Sequence, residues 1–251
     1  MKIVTYATHS EGFFDELTSS GHDIKVLGWG TKWKGFMDKF KGIQEYIKEQ
    51  PDNELIVYLD GFDSKINRDL SGLERAFESM NCGILVSHED KSGLSNFLPL
   101  PLHRYVTRKV FGTCRGDHTA NMGLYMGRAG DLKKVFQSIQ GGTDDQREFN
   151  RVCSRFGDLI RVDTEKVIFE NCPNSTHVSN AYFVQYPAAL NLKRIFRSLG
   201  EYYEYFIPEL LFSWHSLCGY FGPKKLPIPY PIMFRKTSST RAHTMSSQDF
   251  R

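Results

Sequence analysis

Leu55-Ile-Val-Tyr-Leu-Asp-Gly-Phe-Asp63 decides how this chain is read. Its first five residues form an unbroken apolar run with a polar turn before it and Asp-Gly after it, the pattern of a short strand buried on both faces. Upstream, Lys2–Thr5 and Ile24–Leu27 read as two more strands. Between them and Leu55, the residues Phe36, Met37, Phe40, Ile43 and Ile47 recur at helical spacing. Strand, strand, helix, strand is the opening of an α/β sheet. Downstream the alternation continues. A helix is expected around Asp69–Met80, a strand at Gly83–Val86 and a long irregular stretch from His88 to Thr119. Strands near Leu124–Met126 and Leu159–Val162 then enclose helices at Asp131–Ile139 and Asp144–Phe156. The expected fold is α/β, with a mainly parallel central sheet flanked by helices.

Composition bounds the rest. At 251 residues, with 40% hydrophobic and 24% charged residues, the chain suits one folded domain with a small C-terminal appendage. The domain is expected over residues 1–200. A helical, aromatic and Pro-rich extension covers 201–236, and a disordered tail 237–251. The net charge of +3 belongs to the tail: from Lys224 onward six Lys/Arg face one Asp, leaving a mildly acidic body. A nucleic-acid-binding domain usually carries its basic excess across a folded face, so no nucleic-acid partner is expected. The aromatic segment Tyr202–Phe221 reads as a helix packed on the sheet. The alternative is weak peripheral contact with an anionic membrane through its Trp and Tyr residues and the basic tail.

The five cysteines, Cys82, Cys114, Cys153, Cys172 and Cys218, include no CxxC pair and read as reduced, buried thiols. The N-terminus runs straight into a strand with no secretion-signal core. Apolar runs also fall short of the ~20 residues of a membrane-spanning helix. A cytoplasmic setting is the expectation.

Ligands of open α/β sheets bind beyond the carboxyl ends of the strands. Asp60 and Asp63 stand there, with Gly61 between them. Two carboxylates on one turn suit a hard cation such as Mg²⁺ or Mn²⁺ bridging to a nucleotide diphosphate. The competing reading is a hydrogen-bonded Asp-Gly turn with Asp63 solvated. Leu27-Gly-Trp-Gly-Thr-Lys-Trp33 offers glycines for close approach and indoles for stacking on a base, and Lys39 follows as a partner for phosphate. Each has a plainer alternative: Trp33 as core, Lys39 as a solvated helix residue, Asp144 and Asp145 as acidic first-turn residues.

Taken together these residues resemble the glycosyltransferase domain at the N-terminus of procollagen lysyl hydroxylases and its viral and bacterial relatives, which have the GT-A fold. The matching features run in order: Val-Thr-Tyr-Ala-Thr8 with Glu11-Gly-Phe13, Leu-Gly-x-Gly-x-x-Trp33, Asp60-x-x-Asp63, Ser87-x-Glu89, Asn121-x-Gly-Leu-Tyr-x-Gly127, Asp144-Asp-Gln146 and Ile168-Phe-Glu-Asn171.

The resemblance implies a metal-dependent glycosyltransferase moving a sugar from a UDP-sugar to a hydroxyl of a glycan or glycoprotein. By it, Asp60 and Asp63 hold Mn²⁺ (or Mg²⁺) against the diphosphate. Trp33 lies near the nucleotide and Lys39 near phosphate. Thr5, Asn121, Gly123 and Gln146 fall on donor-binding positions. Asp145 is the expected base for the acceptor hydroxyl, with Asp144 and Glu89 as competitors. The family's third metal ligand is a His, and Gln185 or Tyr186 stands in its place, so Gln185 is the expected third ligand. Two other functions compete. A nucleotidyltransferase uses similar carboxylates, but its basic loop is absent from Ala7-Thr-His-Ser-Glu-Gly12. A non-catalytic glycan- or partner-binding domain fits the altered ligand at Gln185.

Overall fold

The computed structural model describes residues 1–91, 99–171 and 178–186. The chain opens with β1 (Lys2–Tyr6), the short helix α1 (Phe14–Thr18), β2 (Ile24–Leu27) and α2 (Phe36–Lys48). β3 (Leu55–Asp60), β4 (Ser64–Ile66), α3 (Leu73–Ser79) and β5 (Ile84–His88) follow. After α4 (Leu100–Phe111) come β6 (Ala120–Arg128), α5 (Ala129–Phe136) and α6 (Asp145–Cys153). A 3-10 turn over Ser154–Leu159 leads to β7 (Ile160–Asp163), β8 (Phe169–Asn171) and β9 (Phe183–Gln185).

Six strands form the central sheet in the order β2-β1-β3-β6-β5-β7. β6 runs antiparallel to both neighbours and the other strands share one direction. The mainly parallel sheet expected from the alternation is therefore present. Its reversed strand places the beginning of β6 beside the ends of β3 and β5. The register between β5 and β6 also jumps there, from Val86↔Tyr125 to Ser87↔Asn121.

The β3 run Leu55–Leu59 is wholly buried because both sheet faces are covered. Tyr58, Ile56 and Tyr125 pack with Phe40, Ile43 and Ile47 of α2 and with Phe136 and Phe149 of α5 and α6. Val57, Leu59 and Leu124 pack on the other face with Leu17, Leu73, Phe77, Phe169 and Phe183. Each such side chain is worth about 1.5–3 kcal/mol relative to exposure.

Several expectations need correction. The stretch His88–Thr119 is not irregular throughout, since α4 lies within it; its apolar residues Val106, Val110 and Phe111 form a small cluster of their own. A second sheet, in the order β4-β9-β8, was not anticipated, because its three-residue strands are too short to show a period. The reading of all cysteines as reduced thiols also fails: Cys114, after α4, and Cys153, ending α6, are joined by a disulfide with Cα atoms 5.0 Å apart. Folding brings together residues whose wide separation carries no pairing signal, and the compartment argument drawn from the cysteines loses its basis. Among the described residues no helix is long and apolar enough to cross a membrane. The aromatic helix, the Pro-rich segment, the tail and the boundary near residue 200 lie outside the described residues.

Candidate functional site

Three strands of the central sheet supply the floor of the site. Asp60 is the last residue of β3, Glu89 follows β5, and Asn121 and Gly123 lie near the start of the reversed β6. α2 and α6 add Lys39, Asp145 and Gln146 from the face that packs on Tyr58 and Tyr125.

Lys39 lies at the centre. Its Nζ is 3.1 Å from Asp145 Oδ2 and 3.6 Å from Asp60 Oδ2, and its side chain is 7% exposed. It stands one turn into α2, near the positive end of the helix dipole, so neighbouring carboxylates must balance its charge. Burial alone would lower its pKa, but Asp145, Asp60 and Asp63 outweigh it and hold the ammonium protonated well above its ordinary range. The Tyr58 hydroxyl donates to Asp60 Oδ1 at 3.3 Å. Burial, with the Asp60 charge beside it, keeps that phenol protonated.

Asp145 is 4% exposed. Burial pushes its carboxyl up to about 6, against the pull of Lys39, while Asp144 and Asp60 push the same way as burial. Asp144 is the N-cap of α6, its Oδ1 accepting from Arg147 N at 2.8 Å. Of the two expected first-turn acids, Asp145 does lie in the first turn but is turned inward and ion-paired, whereas Asp144 stands one residue earlier as the cap. Burial raises Asp144 as well, partly offset by that capping hydrogen bond.

Glu89 extends the network. Its Oε2 accepts from Asn121 Nδ2 at 2.6 Å and from Gln146 Nε2 at 2.8 Å. Asn121 Oδ1 in turn accepts from Gly123 N at 2.8 Å. Burial raises the Glu89 carboxyl although both hydrogen bonds lower it. Asp145 Oδ1 accepts from Gln146 N at 3.0 Å, so one residue touches both carboxylates.

On the other side of Asp60, the turn leads to Asp63, whose Oδ1 accepts from Gln185 Nε2 at 3.2 Å. Gln185 lies between Ser64 and Asn171 in the second sheet. Its Oε1 is buried and has no hydrogen-bond partner among the described residues. Its amide also rests on Gly123: a Cβ there would collide with both amide heteroatoms, so any side chain at this position requires the amide to shift.

The structure thus gathers Lys39, Asp60, Glu89, Asn121, Asp145 and Gln146 into one connected cluster, with Asp63, Gln185 and Gly123 beside it. Thr5 does not join it; the residue is fully buried and its hydroxyl donates to the Leu59 carbonyl at 2.7 Å, tying β1 to β3. A nucleotide contact through that hydroxyl does not fit a group already used inside the sheet. Trp33 is 38% exposed and held edge-on between Tyr6 and Phe36. Among the described residues no three His, Cys, Asp or Glu side chains converge on one metal position.

Two positioning residues escaped the sequence reading. Tyr58 hid within an apolar run, where its hydroxyl gave no period of its own. Asn150 ties α6 to β6 through Ala120, and its one signal was its place one turn after Gln146 on the buried side of the helix.

No protein-family model matches this chain, and no curated protein matches it in sequence. Among solved structures it is similar to the galactosyltransferase LgtC, determined in complex with donor and acceptor sugar analogues. The match has 13% identity, covers 80% of this chain and 96% of that one, and has a TM-score of 0.42.

Proposed function

We propose that this chain is a glycosyltransferase of GT-A type that takes a sugar from a nucleotide-sugar donor, a UDP-sugar by its resemblance, and places it on a hydroxyl of a glycan or glycoprotein. The observation that carries the reading is the cluster of Lys39, Asp60, Asp145, Gln146 and Glu89 at the carboxyl ends of the parallel strands, where open α/β sheets bind ligands.

The residues present fit a divalent cation. Asp60, whose side chain is 30% exposed, and Asp63 are hard oxygen donors, and the Oε1 of Gln185 is a buried acceptor with no partner among the described residues. A half-turn of the Gln185 amide exchanges its nitrogen for that oxygen beside Asp63. Mn²⁺ or Mg²⁺ held by Asp60, Asp63 and Gln185 supplies charge neutralisation for a departing nucleoside diphosphate.

The chain's own groups do the rest. Trp33, partly exposed, is available to the nucleotide, and Lys39 supplies a positive charge for phosphate. Asp145, with its carboxyl near 6, is ionised at neutral pH and accepts the proton of the attacking hydroxyl. Gln146 and Asn121 hold Glu89 in place beside it. The N-cap role of Asp144 leaves it a support for α6.

The test is thermal unfolding with a panel of nucleotide-sugars, with and without Mn²⁺, on the wild type and Asp60→Ala. Ligand at a hundred times its Kd adds ~2.7 kcal/mol to stability. The expected result is a shift that needs both nucleotide-sugar and metal and disappears in Asp60→Ala. If no nucleotide shifts the wild type under any metal condition, the transferase reading fails and glycan or partner binding without turnover takes its place.

A further inference from the structure

Asp60 already has a cation. The Lys39 ammonium is 3.6 Å from its Oδ2, and the Tyr58 hydroxyl occupies its Oδ1 at 3.3 Å, so both oxygens of the expected metal ligand are engaged by the chain itself. The two ends of the Lys39 bridge are unequal. Toward Asp145 the pair is short and both side chains are almost wholly buried, 7% and 6% exposed. Toward Asp60 it is longer, and the carboxylate is 30% exposed. The Lys39 Nζ also lies 5.8 and 5.9 Å from the ring centroids of Phe36 and Tyr58, a setting that supports a cation once it withdraws from Asp60.

We propose that Lys39 is the resident counter-cation of Asp60, and that a divalent metal binds only by displacing this ammonium, which then stays with Asp145. The inference rests on the metal reading of Asp60 and Asp63 given above. Two cations on one carboxylate repel each other. At a few ångströms and an effective dielectric near that of a protein surface, the repulsion is of the order that changes affinity tenfold or more. Metal affinity is accordingly set low in the resting protein. A donor diphosphate raises it, because its negative charge gives the released ammonium a second partner. Lys39 is in this sense a positioning residue that couples metal and donor binding.

The measurement is Mn²⁺ binding to the full chain without nucleotide, followed by the electron paramagnetic resonance signal of free Mn²⁺. Lys39→Met alone leaves the buried Asp145 carboxylate unpaired and is open to misfolding. The double variant Lys39→Met/Asp145→Asn removes one charge of each sign and leaves the net charge of the site unchanged. Lys65→Met, which removes a lysine paired with Glu16 two residues beyond Asp63, reports the effect of general charge. The expected result is Mn²⁺ binding at least ~10-fold tighter in the double variant than in the wild type, with Lys65→Met unchanged. Equal affinity in the double variant and the wild type, or equal tightening in Lys65→Met, overturns the proposal. If Asp60→Asn abolishes binding in that case, the metal reading still stands. Absence of Mn²⁺ binding in every variant overturns both.

Discussion

Asn150 grips Ala120 from both sides: its Oδ1 accepts from Ala120 N at 2.8 Å and its Nδ2 donates to the Ala120 carbonyl at 2.9 Å. The same Nδ2 also donates to the carbonyl of Gln146. One carboxamide therefore fixes how far along β6 the helix α6 sits, and with it where Asp145 and Gln146 point. Asn150→Leu keeps the size and strands two buried backbone groups. It is expected to cost about 2–4 kcal/mol of stability, read from the urea midpoint. The residual folded protein should bind donor less tightly because Gln146 is no longer held against Glu89.

The proton on Asp145 sets two pH dependences. Its folded pKa of about 6 lies above the ordinary 3.8, so the folded chain holds this proton more tightly than the unfolded one. The resulting stability is fully present below pH ~4 and is lost as pH rises through about 6. Asp145→Asn, measured by denaturant unfolding across that window, should flatten the slope. Transfer follows the opposite limb: kcat/KM should fall as pH drops below about 6, because a protonated carboxyl accepts nothing from the acceptor hydroxyl.

Asp145 and Glu89 can be told apart as bases. Asp145→Asn should lower kcat by ~10²–10⁴. Glu89→Gln retains an acceptor for Asn121 or Gln146 and removes a carboxyl that burial disfavours when charged, so it should fold as well as the wild type and lose less than ~10-fold in kcat. Steady-state kinetics with a fixed donor measures both, and the reverse ranking would give the base to Glu89.

Gly123→Ala isolates the Gln185 arm. The added Cβ meets only the amide end of that side chain and no backbone, so the melting temperature should change little. The amide must swing away from Asp63, and the metal-dependent part of any donor-induced thermal shift should vanish.

The disulfide makes a separate prediction. Cys114 and Cys153 are 39 residues apart, a loop whose closure restrains the unfolded chain by about 4 kcal/mol. Unfolding with and without a phosphine reductant, compared with Cys114→Ser/Cys153→Ser, measures it. The double variant should be insensitive to the reductant.

What the sequence discloses follows from how local the physics is. β3 and its terminal Asp60 are legible because an apolar run bounded by turn residues encodes a buried strand within nine residues. α2 is legible from its recurring Phe40, Ile43 and Ile47. The same period puts Lys39 on that face, one turn before Ile43, but it says nothing of the carboxylates from two distant elements that make a buried lysine tolerable there. Asp145 was singled out and Asn150 passed over for a similar reason: a pair of acids is unusual at any position, whereas a buried Asn shows its purpose only when Ala120 is beside it. β8 and β9 exist by pairing with each other and with β4, which no window along the chain contains.

The slip between Val86 and Ser87 has consequences for how this protein tolerates change. Strand alternation normally assigns odd and even residues to opposite faces, yet Met122 and Tyr125, three apart, share a face while Leu124 takes the other. The irregularity resets the phase just where Gly123, between the paired Asn121 and Leu124, drops out of the ladder beside the site. Substitutions there act one side chain at a time. Deleting a single residue between Ala120 and Leu124 would shift the whole stretch by half a pleat, sending core residues to the rim and rim residues into the core. Beyond Asn121 and Gly123, whose identities the site uses, length is what this segment must preserve.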